Sequence, residues 1–549
     1  MHALLGISPI VLAIAAMVGL KKSAGVSMLL AWGLAFCLAV FFWGLAPLPA
    51  AAYTALGFLS SVDVLFIVFA AIFLLNALME LRFIETIGNG FSGISHDRRI
   101  QILVVAFFFG AFIEGAAGFG SAAALAAPLL IGLGVPAFFA ALSSLLANNA
   151  STVFGAAGTP TTVGFATVVP DIYERFGVGP DEYFSALNAQ TAFFNMFVAT
   201  LVPFTMIAVI VLKDGKKRGL RDAFNILPLC LFAGLAFTVP GWLASMLSPA
   251  LPTLIGALVG LGAMIFAVKM NFLVPKEVYR FRDDPIAPAK AGGTGISQAR
   301  AWTPYAVIAL ALVLSRLPWL PFVGWLRHQS VTVSLTGLFG LEGINWAWAP
   351  LNNPGILPFL PVAVACLLIA GRKNPAGGGA FLRIGKKTAA QLKNAALALM
   401  FGIALVQLMR FTNYSDPEGA LGSMSTEIAR ALSSVFGGAY LAVAPFIGAL
   451  GSFVAGSTTV SNIMFYGLQL ETAALLRLPT VMVLVGQNLG AAIGNAISIN
   501  NVVAVAATTD TQGRESELIK GAIVPVALLG LLIAGVLFLA NWLGAAWIA

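Results

Sequence analysis

The stretch GAFIEGAAGFGS at residues 110–121 has a counterpart in GALGSFVAGSTT at residues 448–459, and these two segments decide the fold. Both begin with Gly-Ala, and both place a further glycine eight residues after the first, at Gly118 and at Gly456. Each segment is apolar, yet small residues interrupt it. Broken helices are tolerated at membrane depth only where they are buried in protein or line a cavity. Paired interruptions in two halves of a chain therefore indicate a binding site between the halves.

The similarity continues beyond these segments. Asn148-Asn149 precedes residues 154–156, and Gln487-Asn488 precedes residues 493–495 at nearly the same separation. The two apolar but interrupted regions, 100–168 and 438–508, are therefore predicted to hold the functional residues. The alternative is chance similarity, since small residues are common wherever membrane helices pack.

Composition places the rest of the chain in a membrane. Of 549 residues, 59% are hydrophobic and 9% charged, with a mean hydropathy of +0.95. We predict an all-α integral membrane protein of about 12 to 14 transmembrane helices, forming one domain over 1–549 with a first half at 1–274, a linker loop at 275–301 and a second half at 302–549. Uninterrupted spans are predicted at 4–20, 24–46, 61–80, 186–212, 224–246, 249–269, 302–322, 356–370, 394–410 and 521–546.

Charge predicts the orientation. The net charge of +8 arises from basic residues in short loops, which favours membrane topology over nucleic-acid binding. Basic clusters are taken as cytoplasmic, and they occur at 21–22, 98–99, 213–221, 276–300, 372–393 and 514–520. The stretches 47–60, 170–183, 328–354 and 413–438 then face outward, and both termini are periplasmic at a bacterial inner membrane. Because the first glycine-rich segment follows a cytoplasmic loop and the second an external one, we predict an inverted repeat with discontinuous helices or re-entrant hairpins.

Helix N-termini exposed at such breaks attract an anion, and small residues let the backbone approach it. The expected partner is therefore a small organic anion. Several of these side chains could instead cap helices or bond between them. The substrate-binding candidates are Gly118, Gly120, Ser121, Asn148, Asn149, Thr159 and Thr161 in the first half, and Ser457, Thr458, Thr459, Asn462, Asn495 and Asn500 in the second.

Four further candidates are ionisable. Glu114 lies between an apolar helix and a glycine break, and a charge inside a membrane is costly enough to suggest a function, here proton coupling. Asp63 is a second candidate proton carrier, or else an interfacial cap. Arg410 could hold a carboxylate through two hydrogen bonds or extend to the interface. Tyr414 could contact the substrate or anchor the interface.

At these segments the chain resembles the lactate permease family, which includes L-lactate and glycolate permeases. The resemblance rests on GAFIEGAAGFG (110–120), PLLIGLGVP (128–136), LANNASTVFGAAGTP (146–160), NYS (413–415), GSFVAGSTTVSN (451–462), and GNAIS, NNVVAVAATT and GRESEL within 494–518. It covers most of the chain in order, and the blocks taken together are specific to the family.

The resemblance implies proton-coupled uptake of small 2-hydroxy monocarboxylates without ATP or an organic cofactor. It also implies kinship with a wider ion transporter superfamily in which inverted repeats often move like an elevator. The sequence departs from the family pattern at Thr458, where an acidic residue is usual, and at Asn495, where a lysine is usual. Residues 499–501 are also atypical.

These departures keep a second hypothesis open: the same fold carrying a sulfonate, a dicarboxylate or another organic acid, with sodium as the coupling ion. A membrane enzyme would need converging catalytic side chains, which the sequence does not offer. A passive channel is disfavoured because paired broken helices indicate an occluded site. A homodimer stays an open alternative.

Overall fold

The fold is all-helical apart from one short hairpin, and the predicted membrane class is confirmed. The structure, a computed structural model, describes all residues except 21, 92, 119–120, 170–171, 173–177, 216–218, 283–293, 317–319, 374–378, 416–420 and 545–549. Within these residues, nine helices are long and apolar enough to cross a membrane, or up to 11 if two bent pairs each count as one. Three shorter apolar helices accompany them.

The described helices of the first half run between loops rich in glycine and proline. They are α1 (His2–Ile14), α2 (Ala24–Phe41), α3 (Pro47–Glu80), α4 (Phe83–Asn89), α5 (Arg98–Ile102), α6 (Gly110–Ala116), α7 (Ser121–Gly132), α8 (Ala137–Ala147), α9 (Gly155–Ala166), α10 (Pro180–Ala199), α11 (Val202–Lys213), α12 (Gly219–Phe224), α13 (Leu227–Ser245) and α14 (Pro252–Lys269).

The second half contributes further helices and two strands. They are α15 (Gln298–Arg316), α16 (Phe322–Leu326), β1 (Val333–Leu335), β2 (Trp346–Trp348), α17 (Leu360–Lys373), α18 (Ala380–Arg410), α19 (Met424–Phe436), α20 (Tyr440–Ala455), α21 (Thr458–Leu475), α22 (Thr480–Asn495), α23 (Ile499–Thr508) and α24 (Glu515–Trp542). The strands pair antiparallel, with Val333 opposite Trp348.

One predicted span is too short. Helix α3 has 34 residues, so the stretch 47–60, predicted as an external segment, is its first part. At 1.5 Å per residue α3 is about 51 Å long, against a hydrocarbon core of about 30 Å, and the prediction truncated it because it allowed one membrane thickness per helix. Helix α18 begins at Ala380, inside the predicted cytoplasmic stretch 372–393, and bends by 42° before Ala395, so that its second part, Ala395–Arg410, matches the predicted span 394–410.

Another predicted span, 186–212, lies within one candidate membrane span, Pro180–Lys213. Two helices, α10 and α11, follow each other inside it with a short interruption at Thr200 and Leu201. Pro203 lies in the first turn of α11, where a proline suits a new helix because its missing N–H would have no intrahelical partner. A uniformly apolar pattern does not reveal such a division.

Buried apolar side chains form two clusters. The larger one joins both interrupted regions with α10 to α14 and α24. The smaller one lies among α1, α2, the first part of α3, α18 and α19, and it also includes one face of α21. The two interrupted regions, far apart in the sequence, thus share one core.

The predicted boundary at 275–301 is anchored to the first half. The buried Asp97 carboxylate accepts hydrogen bonds from Arg99 (Nη2, 2.6 Å) and from the backbone N–H of Tyr279 (3.1 Å). The Tyr279 hydroxyl donates to Asp214 Oδ2 at 2.7 Å. This part of the linker is therefore fixed to the start of α5 and to the C-terminal end of α11.

Close packing of α20 on α22 gives a test of the shared core. A Cβ added at Gly490 would lie 1.8 Å from the carbonyl oxygen of Pro445, whereas one added at Gly535, on α24, meets nothing within 4 Å. We expect Gly490→Ala to destabilise the protein by roughly 1–3 kcal/mol through overpacking, and Gly535→Ala to leave it unchanged. Thermal unfolding in detergent measures this. Equal melting temperatures for the two variants would contradict the packing described.

Candidate transport site

The two glycine-rich segments end their helices in the same way. Helix α6 ends before Gly118 (φ +62°), and α20 ends at Gly456 (φ +70°). These are the two glycines that the eight-residue spacing pairs. A left-handed backbone favours glycine because it has no Cβ. A Cβ at Gly118 would lie 2.6 Å from that of Ala156, and one at Gly456 would lie 2.8 Å from that of Asn500.

The two breaks meet at an enclosed cavity. Its volume is about 20 Å³, which is room for one water molecule. The lining combines residues of both glycine-rich segments with residues of 152–160 and one residue of α22. These residues are Glu114, Gly118, Thr152, Gly155, Ala156, Pro160, Gly456, Ser457, Thr458, Thr459 and Asn495. Six sequence-predicted residues are thereby brought together, namely Glu114, Gly118, Ser457, Thr458, Thr459 and Asn495.

Glu114 is the acidic group of this cavity. Its side chain is 3% exposed, and it hydrogen-bonds to the side chain of Asn148. Its Oε2 finds no hydrogen-bond partner within the described ranges. Gly155 makes room for the carboxylate, since a Cβ there would lie 2.6 Å from Glu114 Oε1. A carboxylate buried without a counter-ion costs free energy, and binding a proton removes that charge.

The chain beside Glu114 is strained. Ala156 (φ +43°), Ala157 (φ +53°) and Gly158 (φ +78°) are three consecutive residues in the left-handed region. Non-glycine residues rarely adopt this conformation, and such strain tends to occur at functional sites. A Cβ at Gly158 would lie 2.2 Å from the carbonyl oxygen of Pro249, so the loop is held against the segment before α14.

The second break supplies a helix N-terminus. Ser457 caps α21, its hydroxyl accepting from the N–H of Val460 at 3.3 Å. The N–H groups of the first turn have no intrahelical partner and form the positive end of the helix dipole. Thr458 and Thr459 begin this turn and line the cavity. An anion approaching the break therefore meets backbone donors.

Thr458 and Asn495, the two positions predicted to depart from the family pattern, contact each other. Asn495 Nδ2 donates to Thr458 Oγ1 at 3.1 Å, and both residues are buried. The pair is neutral, so it adds no charge to the site.

A larger vestibule adjoins the enclosed cavity. It has a volume of about 540 Å³, and Gly118, Gly456 and Ser457 line both spaces. Its other walls come from α3 and α18, through Asn76 and Gln391 among others, and from Asn500 and neighbouring residues of α23. Ligand pockets for small molecules usually have volumes of about 300–1,000 Å³. The vestibule is therefore large enough for a small organic anion, and the enclosed cavity is not.

A separate pocket lies next to the strained residues 156–158, and we call it the outer pocket because Asp181 in its lining belongs to a stretch predicted to face outward. It has a volume of about 520 Å³, and Asp63, Asp181 and Arg327 are among its lining residues. Ala157 lines this pocket, while its neighbour Ala156 lines the enclosed cavity. Two adjacent residues of the strained loop thus line the two different spaces.

Several predicted residues use their polar groups locally. Thr159 donates to the carbonyl of Ala156, and Thr161 donates to that of Val153 at 3.3 Å. Asn462 donates from Nδ2 to the carbonyl of Pro160 at 3.0 Å, which joins the second interrupted region to the first.

Others lie at the edge of the site or behind it. Asn500, on the vestibule wall, donates to the carbonyl of Ala455 at 3.4 Å. Asn149 is buried, and neither end of its carboxamide has a partner in the described part of the chain. Gly120 and the side chain of Ser121 lie outside the described residues.

Three predicted residues are away from both the enclosed cavity and the vestibule. Asp63 accepts hydrogen bonds from Trp348 Nε1 and Asn353 Nδ2, both at 2.7 Å, and so fixes the hairpin to α3. Arg410 lies over the ring of Phe411, with 5.1 Å between its Cζ and the ring centroid. The hydroxyl of Tyr414 donates to the Glu342 carbonyl at 3.4 Å. None of the three lines either space.

Sequence reasoning missed two groups at the site. Gly155 and Pro160 line the enclosed cavity although neither is among the predicted binding residues. Asn76 and Gln391 line the vestibule, and the available signal was a carboxamide inside or beside an apolar span. No group of three or more His, Cys, Asp or Glu residues that could hold a metal occurs within the described ranges.

Many apolar helices, two broken segments meeting at a buried carboxyl group, and an adjoining vestibule define a multi-pass membrane transporter. The family model described as L-lactate permease matches residues 2–544. The chain belongs to this family.

Three relatives are similar to this chain over most of its length. The chain is 29% identical over 524 residues to the L-lactate permease of Bacillus subtilis, covering 86% of this chain and 84% of that one. It is 28% identical over 457 residues to a putative L-lactate permease of Haemophilus influenzae, covering 80% of each. It is 26% identical over 552 residues to the glycolate permease GlcA of Escherichia coli, covering 95% of this chain and 92% of that one.

A comparison of structures finds the YdaH transporter of Alcanivorax borkumensis, described as having an unusual topology. The identity is 14% and the TM-score 0.34, over 74% of this chain and 88% of that one.

The space that Gly155 leaves for Glu114 can be tested. Gly155 has a φ of −65°, so alanine fits the backbone, but its Cβ would displace the carboxylate. We expect Gly155→Ala to lower the transport rate by on the order of ten- to a hundredfold, as small displacements of a functional group can. Gly132→Ala, where a Cβ meets nothing within 4 Å, is the control. Wild-type transport by a well-folded Gly155→Ala variant would show that the position of the carboxylate is unimportant.

Proposed function

We propose that this protein is a proton-coupled symporter that carries lactate and related small 2-hydroxy monocarboxylates, such as glycolate, across a bacterial inner membrane. The observation that carries the proposal is the buried Glu114 carboxyl group at the point where the two broken segments meet. The names of the relatives support the substrate class. The geometry of the site supports separate binding groups for the substrate and for the proton.

The substrate carboxylate is proposed to bind in the vestibule at the second break. Gly456 and Ser457 belong to its lining, and the N-terminus of α21 provides donors and a favourable dipole. A monocarboxylate has few atoms and needs little space, which the vestibule provides. Of the predicted substrate ligands, Arg410 lies outside this lining, so backbone donors rather than a guanidinium would hold the anion.

Glu114 is proposed to carry the proton. The enclosed cavity has room for one water molecule and connects the carboxyl group to the breaks that also border the vestibule. A proton on Glu114 removes a negative charge close to the substrate anion. Proton binding and substrate binding would therefore be coupled. Protonation of Glu114 favours binding of the substrate anion, and a bound anion favours protonation of Glu114.

The described conformation is open toward one side of the membrane, as one state of an alternating-access cycle would be. The breaks adjoin the vestibule, whose rim includes Ser23 and Gln391, next to the basic residues predicted to be cytoplasmic. The strained residues 156–158 separate the breaks from the outer pocket. We propose that this is an inward-open state and that the outward-open state forms by reversing these two accesses.

A second candidate keeps the fold and changes the ligand to a sulfonate, a dicarboxylate or another organic acid, with sodium as the coupling ion. The departures at Thr458 and Asn495 were the reason to consider it. Because those residues form a neutral pair, they give no added positive charge for a second carboxylate. The monocarboxylate proposal is therefore the better supported.

The decisive experiment is uptake of radiolabelled lactate into proteoliposomes with an imposed inward proton gradient. The wild-type protein is expected to accumulate lactate, and a protonophore should abolish accumulation. Glu114→Gln, which is permanently neutral, should keep lactate exchange but lose accumulation and its rise with falling external pH. Glu517→Gln, a change at an exposed carboxylate, is the matched control.

Two outcomes would contradict the proposal in different ways. Proton-driven accumulation by Glu114→Gln would remove Glu114 as the proton carrier. A wild-type protein that moves neither lactate nor glycolate under a proton or a sodium gradient would show that the substrate is wrong.

The proposed orientation gives a further prediction. With the three native cysteines replaced, single cysteines at the exposed positions Ser297 and Ser330 should report opposite sides of the membrane. A membrane-impermeant maleimide is expected to label Ser330→Cys in intact cells, and Ser297→Cys only after permeabilisation, because the basic loops face inward. The reverse pattern would invert the topology.

A further inference from the structure

One asparagine of the vestibule wall has an unused acceptor. Asn76 lies near the C-terminal end of α3, is 3% exposed, and is one of the residues that border the vestibule. Its Oδ1 has no hydrogen-bond partner in the described part of the chain. The Oδ1 atom is itself buried behind the surface of the vestibule. Buried polar atoms are nearly always satisfied, so an unpartnered acceptor on a residue that lines a ligand-sized space calls for an explanation.

The orientation of this carboxamide is set by two neighbours on α18. Asn76 Nδ2 donates to Thr388 Oγ1 at 3.0 Å and to Gln391 Oε1 at 2.7 Å. An amide nitrogen has two hydrogens, so both of its donors are used. What Asn76 still offers is an acceptor, which can bind only a donor and would repel a carboxylate.

The partner of Asn76 contributes the opposite group. Gln391 uses its Oε1 to accept from Asn76, which leaves its Nε2 as a donor. Gln391 also borders the vestibule. A 2-hydroxy acid carries a hydroxyl donor next to carboxylate acceptors, and this pattern is complementary to an acceptor next to a donor.

We propose that Asn76 Oδ1 accepts the hydrogen bond of the substrate's 2-hydroxyl group, and that Asn76, held by Thr388 and Gln391, selects 2-hydroxy acids over acids with a ketone or a plain methylene at that carbon. This inference rests on the proposed function, and it assigns one part of the transporter's substrate specificity to helices α3 and α18. A site built to bond a hydroxyl disfavours analogues that lack it, because its acceptor stays unsatisfied.

Other buried carboxamides do not provide this group. Unpartnered carboxamide atoms within the described ranges also occur at Asn149, Asn188, Gln190 and Gln469, and none of these residues is part of the vestibule lining. Asn188 borders the outer pocket instead. Asn195 Oδ1 is likewise unpartnered there, and it borders a different small cavity between α10, α13 and α14. Asn195 is therefore a matched control for removing a buried asparagine.

The test is competition against radiolabelled lactate uptake into proteoliposomes of the full chain. Unlabelled lactate, pyruvate and propionate are compared, since the last two lack the hydroxyl donor. The wild-type protein should prefer lactate, and Asn76→Ala should narrow the ratio of inhibition constants for propionate and lactate by roughly tenfold, as expected for one hydrogen bond. Asn195→Ala should keep the wild-type ratio.

A second variant guards against misfolding of Asn76→Ala. Thr388→Val keeps the Asn76 carboxamide but removes one acceptor that orients it, so the ratio should narrow in the same direction by a smaller factor. A wild-type ratio in a folded Asn76→Ala variant, or in Thr388→Val if the former does not fold, would overturn the inference while leaving the proposed function standing. A wild-type protein that transports lactate without preferring it to propionate would do the same. Absence of lactate transport by the wild-type protein would instead overturn the proposed function.

Discussion

The absence of water at membrane depth is the constraint on which this structure depends. Every backbone N–H and C=O in the hydrocarbon region needs a partner inside the protein, so a helix can break there only if something polar meets the break. Here each break meets the other. Gly118 and Gly456 end their helices in the left-handed conformation and border the same small cavity. At the second break, side chains satisfy part of the backbone: the Ser457 hydroxyl accepts from the N–H of Val460, and Asn500 donates to the carbonyl of Ala455.

The same constraint explains how the two interrupted regions are held together. Asn462 donates to the carbonyl of Pro160 and to Asn488 Oδ1, and Asn488 in turn donates to Thr191 on α10. These side chains are buried, so their hydrogen bonds do not compete with water and fix the relative positions of α9, α10, α21 and α22. Hydroxyls and carboxamides that looked like ligands in the sequence, such as Thr159 and Asn462, therefore serve as connections within this body. The polar groups that these connections leave over, Glu114 and the vestibule residues, are the ones that we propose to act on a ligand.

Small changes of charge have large effects in such a site. A single carboxyl group without a counter-ion in the described surroundings can exist in two charge states, and its state influences any anion bound at the neighbouring break. The neutral Thr458–Asn495 pair does not alter that balance. In the proposed mechanism, the backbone donors of α21 bind the substrate carboxylate and the wall formed by α3 and α18 contacts the rest of the substrate. The proposal thereby assigns the proton and the substrate to different groups of the site.

The sequence by itself determined the membrane class, the two interrupted regions and the pairing of Gly118 with Gly456, because hydropathy and glycine spacing are local properties that one physical constraint governs. It also identified Glu114, since an ionisable residue in an apolar segment is costly wherever the chain goes. Helix lengths were harder to predict: α3 exceeds one membrane thickness, and α18 begins one bent segment before its predicted span, and neither feature is recorded in a local pattern. Only the tertiary structure decided that Arg410 and Asp63 lie away from the cavity, that Thr458 contacts Asn495, and that Asn76 reaches the vestibule. Those facts depend on contacts between residues hundreds of positions apart, such as Asn76 with Thr388, and the direction in which a side chain points is set by that packing.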